Sequence, residues 1–132
     1  MAKFTEAALI KAARLARERA HAPYSHFKVG AALLSKTGQV FTGCNIENAS
    51  YGLTICAERV ALFKALSEGV QEFSKIVVVA DTEVLTPPCG ACRQIIWEFC
   101  GNVAVILANL RGKSETHRMD KLLPHAFDGR FL

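Results

Sequence analysis

The sequence lacks most of what marks an exported, membrane-bound or nucleic-acid-binding protein. Met1-Ala2-Lys3-Phe4 runs straight into a charged amphipathic segment with no apolar leader core, so no secretory signal is expected. No apolar run approaches the roughly 20 residues of a membrane-spanning helix, which argues against a membrane partner. Internal repeats, low-complexity tracts and linkers are absent. Charge is only mildly lopsided, at a net +4, and much of the excess sits in Lys11, Arg14, Arg17 and Arg19. Those four read as the solvated face of a helix. No basic stripe with interleaved aromatics offers a platform for a nucleic-acid strand. Histidine is sparse: His21 and His26 flank a turn at Pro23, and His117 and His125 lie far downstream, so no two stand at metal-binding spacing.

What remains is ordinary in bulk and unusual in one respect. With 132 residues, 51% of them hydrophobic and 21% charged, the chain reads as a single domain, residues 1–132, with a substantial core. Its five cysteines are an odd number. Without an export signal, the expected compartment is reducing and cytoplasmic, where cysteines serve metals or catalysis rather than disulfides.

Hydrophobic periodicity gives the element order. Residues 3–20 place Phe4, Ala8, Leu9, Ala12, Leu15 and Ala16 at helical spacing. The helix should end before Pro23. Residues 28–35 and 40–44 read as strands joined by a hairpin-type turn at 36–39. Residues 45–51 are polar and irregular, and 55–67 return to a helical pattern with Gly69 as a stop. The β-branched run 75–80 reads as a buried strand. After a loop with two prolines, a helix is expected at 90–99. A second buried strand at 103–108, a weaker one at 114–119 and a short helix before Pro124 complete the chain. The expected fold class is α/β, a three-layer α/β/α domain with one mixed five-stranded sheet. The strand–helix–strand unit around Cys89 should be a right-handed crossover with parallel strands, and the last strand should return antiparallel.

Chemistry concentrates in two stretches, Cys56-Ala57-Glu58-Arg59 and Pro88-Cys89-Gly90-Ala91-Cys92-Arg93-Gln94. Cys89 and Cys92 form a C-x-x-C pair at an expected helix start, and Cys56 stands at another. Helix starts present unpaired N–H groups, which favour thiolates and hence metal binding. Three sulfurs around a zinc ion leave its fourth position open, the hallmark of a catalytic rather than a structural site. Glu58, two residues beyond Cys56, is placed to reach a water there and shuttle its proton, a role worth roughly 10²–10⁴-fold. Three thiolates overcompensate the ion's charge. Arg59 is the stronger candidate, and Arg93 the weaker, to withdraw that charge by hydrogen bonding to sulfur. A closed structural zinc module would need a fourth ligand. Cys44 and Cys100 are the available thiols, and both read better as free, partly buried cysteines.

These stretches resemble the zinc-dependent cytidine deaminases of the short homotetrameric type, whose wider group pairs H-x-E or C-x-E with P-C-x-x-C. Residues 22–33, A-P-Y-S-H-F-K-V-G-A-A-L, and 43–49, G-C-N-I-E-N-A, are similar to two further motifs of that family. The resemblance covers about residues 22–100. It implies a cytidine-deaminase-like fold, one Zn²⁺ per subunit on Cys56, Cys89 and Cys92, and Glu58 as the proton shuttle. It also implies Asn45 and Glu47 on the sugar hydroxyls, Phe27 against the pyrimidine, and the Ala57 N–H on the base carbonyl. Ala49 and Tyr51 would lie near a neighbouring subunit's sugar, and Phe127 would cover a base across an interface. The implied reaction is hydrolytic deamination of cytidine and 2′-deoxycytidine in pyrimidine salvage, by a homotetramer with shared active sites. Blasticidin-S-type deaminases share C-A-E and P-C-G-x-C, but the intact Asn45-Ile46-Glu47-Asn48 favours a nucleoside. A non-catalytic zinc-stabilised binding module is the reading from a different class.

Overall fold

A computed structural model describes residues 4–132; the expected start of the first helix at residue 3 lies outside them. Helix α1 (Glu6–Arg17) opens with Thr5, whose hydroxyl accepts the Ala8 N–H at 3.0 Å, and carries Glu6 in its first turn and Arg14 and Arg17 in its last. These charges complement the helix dipole. Strands β1 (Val29–Ser35) and β2 (Val40–Cys44) form the expected hairpin, and α2 (Ala57–Ser67) follows a one-turn 3₁₀ segment at Tyr51–Leu53. Next come β3 (Phe73–Ala80), α3 (Gly90–Cys100), β4 (Ala104–Ala108), β5 (Ser114–Arg118) and the short α4 (Met119–Leu122).

The five strands lie in the order β2-β1-β3-β4-β5. Only the β3–β4 pair, joined through α3, is parallel; β5 returns antiparallel onto β4. This is the expected mixed sheet. Alternate residues along the central strands feed two cores. Ala32, Leu34, Val77, Val79 and Ile106 face Leu9 and Ala13 of α1. Ala31, Leu33, Ile76, Val78 and Val105 face Ala61, Leu62 and Ala65 of α2 and Cys92 and Ile96 of α3. The sheet is therefore covered on both faces, which is why β1 and β3 are apolar nearly throughout rather than alternating.

Two expectations need adjusting. The apolar stripe of α1 is narrower than the spacing suggests: Leu9 and Ala13 are buried, while Leu15 and Phe4 are exposed. The helix lies so close to β1 that a Cβ on Gly30 would overlap the Ala13 carbonyl. Such a contact admits only small residues and leaves the flanking apolar side chains outside. The second helix starts two residues later than its pattern implies. Ile55 is held as extended chain by mutual backbone bonds with Ile46 at 2.9 and 3.0 Å, so Cys56 becomes the residue that caps α2. Among the described residues no helix is long and apolar enough to cross a membrane.

Candidate active site

The topology brings the starts of α2 and α3 together at one end of the sheet. Cys56 occupies the N-cap of α2 and Cys89 the N-cap of α3, both with extended backbone and neither side chain used for capping. Cys92 sits in the first turn of α3. The three sulfurs all lie within 4.8 Å of one another, and no other described His, Cys, Asp or Glu joins them. The Cys56 and Cys89 sulfurs are 3.8 Å apart. Two sulfurs each about 2.3 Å from a tetrahedral zinc ion would stand about 3.8 Å apart. The donor set thus fits zinc in both chemistry and spacing, with three protein ligands and no fourth.

Electrostatics support ionised sulfur at this point. The Cys56 thiol is pulled down to about 5, chiefly by a hydrogen bond from Cys92 and also by the Arg59 guanidinium. Cys92, the donor in that pair and a buried one, is pushed up correspondingly. Arg59 Nη2 lies 3.3 Å from the Cys56 sulfur, as the sequence led us to expect. Its Nε is buried without a partner. Arg93 departs from expectation. Its guanidinium turns away from the sulfurs and donates to the carbonyls of Pro88 and Leu122 at 2.8 and 2.7 Å. Placed beyond Cys92 on α3, it ties the backbone just before the helix start to the end of α4 rather than bonding sulfur. Cys44 and Cys100 stay outside the sulfur group, half-buried and free; burial pushes the Cys100 thiol up to about 12.

Glu58 is 4% exposed. Burial, reinforced by the nearby Cys56 thiolate, raises its carboxyl from 4.5 to about 7. A carboxyl that exchanges its proton near neutrality suits both general base and general acid work. Together with Cys56, Cys89, Ala57, Phe27 and Asn45 it lines a cavity of about 170 Å³. Phe27 is 41% exposed, so it is a wall of this cavity rather than part of the core. Ala57 is the first residue of α2, where backbone N–H groups have no partner within the helix.

A second, wider hollow of about 350 Å³ adjoins the first through Thr54, and Tyr24, Ser25, Glu47 and Tyr51 border it. Here the expected sugar ligands turn out to be partly committed already. Asn45 accepts the Val29 N–H at 2.9 Å and donates to the Phe27 carbonyl at 2.7 Å. That fixes the chain entering β1 and leaves one amide N–H free. The Glu47 carboxylate accepts the N–H groups of Tyr24 and Ser25 at 2.9 and 3.1 Å and the Ser25 hydroxyl as well. These bonds, the hydroxyl foremost, hold its carboxyl below the usual range. An ionised carboxylate has about four acceptor sites, so one remains. Tyr24, Ser25 and Thr54 are site residues that our reading of the sequence missed. The run of turn-forming residues at Pro23-Tyr24-Ser25 was the available signal.

The remaining expected residues are the more exposed ones. Ala49 is exposed and borders neither hollow, and Tyr51 is 76% exposed. Phe127 stacks on Phe131 with ring centroids 5.8 Å apart, on the outside of α3 and away from the cavity of its own chain.

Comparison with known proteins agrees with this geometry. A family model described as the cytidine and deoxycytidylate deaminase zinc-binding region matches residues 4–108. The chain is 56% identical over 120 residues to a cytidine deaminase of Sporosarcina psychrophila, covering 90% of this chain and 88% of that one. The crystal structure of cytidine deaminase from Burkholderia pseudomallei superposes with a TM-score of 0.91 at 52% identity, covering 93% of this chain and 99% of that one. A blasticidin-S deaminase of Bacillus cereus is more distant, at 32% identity over 73% of this chain and 74% of that one.

Proposed function

The chain belongs to the cytidine and deoxycytidylate deaminase family, and on that premise we propose that it hydrolyses cytidine and 2′-deoxycytidine to the corresponding uridines and ammonia. The observation that carries this reading is the trio of sulfurs, two of them at the spacing of a zinc tetrahedron, beside a buried Glu58 lining the same cavity. Cys56, Cys89 and Cys92 hold the ion. Bound there, zinc supplies Lewis acidity and a water whose pKa falls to about 7.

The chain's own residues do the rest. Glu58 takes a proton from the attacking water and delivers it to ring N3 as C4 becomes tetrahedral. It then carries a second proton to the departing amine, so that water and cytidine become uridine and ammonia. Arg59 draws charge from Cys56 and keeps the ion electrophilic. Phe27 packs on the pyrimidine, and the Ala57 N–H donates to the base carbonyl. The free amide N–H of Asn45 and the free acceptor site of Glu47 bind the sugar hydroxyls.

The protein acts as a cytoplasmic homotetramer in pyrimidine salvage, built from one domain of residues 1–132, with no nucleic-acid or membrane partner. Ala49 and Tyr51 border a neighbour's sugar, and Phe127 covers a neighbour's base. Exposed apolar side chains at or next in sequence to residues that line the two hollows, among them Ile46, Tyr51 and Leu53, support burial against other subunits. The lower identity to the blasticidin-S enzyme and the intact Asn45-Ile46-Glu47-Asn48 favour a nucleoside over that antibiotic.

The test is ultraviolet loss on incubation with cytidine, with and without a chelator, for the wild type and Glu58→Ala. The proposal expects turnover that the chelator abolishes, and a variant that keeps its metal but loses nearly all rate. Normal turnover by the variant would remove Glu58 from the mechanism. Turnover of blasticidin S alone would point to the other substrate. Sedimentation showing an active monomer would contradict the tetramer.

A further inference from the structure

The helix that carries two of the sulfurs also holds the C-terminal segment. One residue, Arg93, grips both the segment and the loop that delivers Cys89. Its Nε donates to the Pro88 carbonyl at 2.8 Å and its Nη1 to the Leu122 carbonyl at 2.7 Å. Pro88 is fully buried and directly precedes Cys89. Cys89 is the exposed member of the trio, so packing constrains it least and its place depends most on the backbone before it. Further along the segment, Gln94 Nε2 donates to the Phe127 carbonyl at 2.8 Å and Trp97 Nε1 to the Asp128 carboxylate at 2.9 Å.

A guanidinium is a rigid planar fork, and hydrogen bonds from it are charge-assisted. Bound to two carbonyls through different nitrogens, it holds them at a separation set by the fork.

We propose that Arg93 is a positioning residue that couples docking of the C-terminal segment to retention of the metal. With the segment docked on α3, the guanidinium is held from the Leu122 side and keeps Pro88, and therefore Cys89, in place. Linkage makes the effect mutual: whatever the docked segment adds to metal affinity, the bound metal adds to docking. The inference rests on reading the three cysteines as the metal site. It adds that a segment outside the cavity helps hold the ion.

Trp97 is the sole tryptophan and sits at one anchor of the segment, so its fluorescence reports docking. The test mixes holoprotein with a chelating dye and follows dye absorbance and Trp97 emission together, in the wild type and in Arg93→Lys. The lysine keeps the charge but loses the planar fork that holds both carbonyls at a fixed separation. The expected result is metal release roughly tenfold faster in the variant. Trp97 emission should change when metal leaves the wild type and not when it leaves the variant. Release at the wild-type rate would overturn the proposal. So would an emission change in the variant equal to that of the wild type.

Should Arg93→Lys fail to fold, Asp128→Ala leaves Arg93 intact and frees the far anchor. It should speed release roughly threefold or more, and an unchanged rate would overturn the coupling. Wild-type protein that holds no metal would contradict the site itself. Wild-type protein that holds metal beside an unaltered variant would contradict the coupling alone.

Discussion

Replacing Glu58 with glutamine should stabilise the metal-free protein at pH 8 and change it much less at pH 5. Glu58 is 4% exposed, and burial raises its carboxyl from 4.5 to about 7. A carboxyl whose folded value is raised favours the folded state in its protonated form. That advantage is complete below pH 4.5 and is lost as pH rises through about 7. At about 1.4 kcal/mol per pH unit, the wild type loses roughly 2.5 kcal/mol between pH 5 and pH 8. Glu58→Gln keeps the shape and does not titrate, so it escapes this loss. Urea titrations of the chelated proteins, at one fixed protein concentration, read the difference. With a urea slope of about 1–3 kcal/mol/M, the gap between the two midpoints should widen by on the order of 1 M from pH 5 to pH 8. A gap that is the same at both pH values would refute the claim that this carboxyl is buried against its charge.

Three further predictions follow from contacts around the sulfurs and the tail. Arg59→Gln removes the 3.3 Å contact to the Cys56 sulfur and should weaken metal binding about 10- to 100-fold; chelator competition measures it, and unchanged affinity would place Arg59 outside the metal's environment. Gly43→Ala places a Cβ 2.5 Å from both the Ala57 carbonyl and the Ala61 N–H. It should push the start of α2 off β2, at a cost of about 1–3 kcal/mol. Cytidine kcat should fall together with stability, and normal values of both would show that the close crossing is not needed. His125 holds φ at +54°, a region that costs a side-chain-bearing residue roughly 1–2 kcal/mol. His125→Gly should therefore raise the thermal midpoint, and a lowered midpoint would mean that the imidazole has a role of its own.

The parts legible in the sequence were those fixed by local pattern. The strand 40–44 came out with its own bounds because a hairpin turn before it and a polar, irregular stretch after it mark both its ends. The crossover around Cys89 followed from two apolar runs with a helix between them. The cysteine motifs placed Cys56, Cys89 and Cys92 at helix starts, where the structure has them. What stayed hidden depended on tertiary contact. Nothing local to 55–56 tells that Ile55 pairs with Ile46 and delays α2. Nor does the α1 stripe reveal how close Gly30 lets that helix come. Arg93 beside a cysteine motif looks like a partner for sulfur, yet its carbonyl acceptors lie 5 residues back and 29 residues on. Asn45 and Glu47 read as free ligands because their bonds to Val29 and Ser25 cross 16 and 22 residues of sequence.

The most direct test of the central claim is X-ray absorption at the zinc edge on the protein as purified. The account predicts a bound zinc with three sulfurs at about 2.3 Å and one light atom that small anions or substrate analogues displace. Four sulfurs, a histidine nitrogen in the fourth place, or a preparation without metal would contradict it.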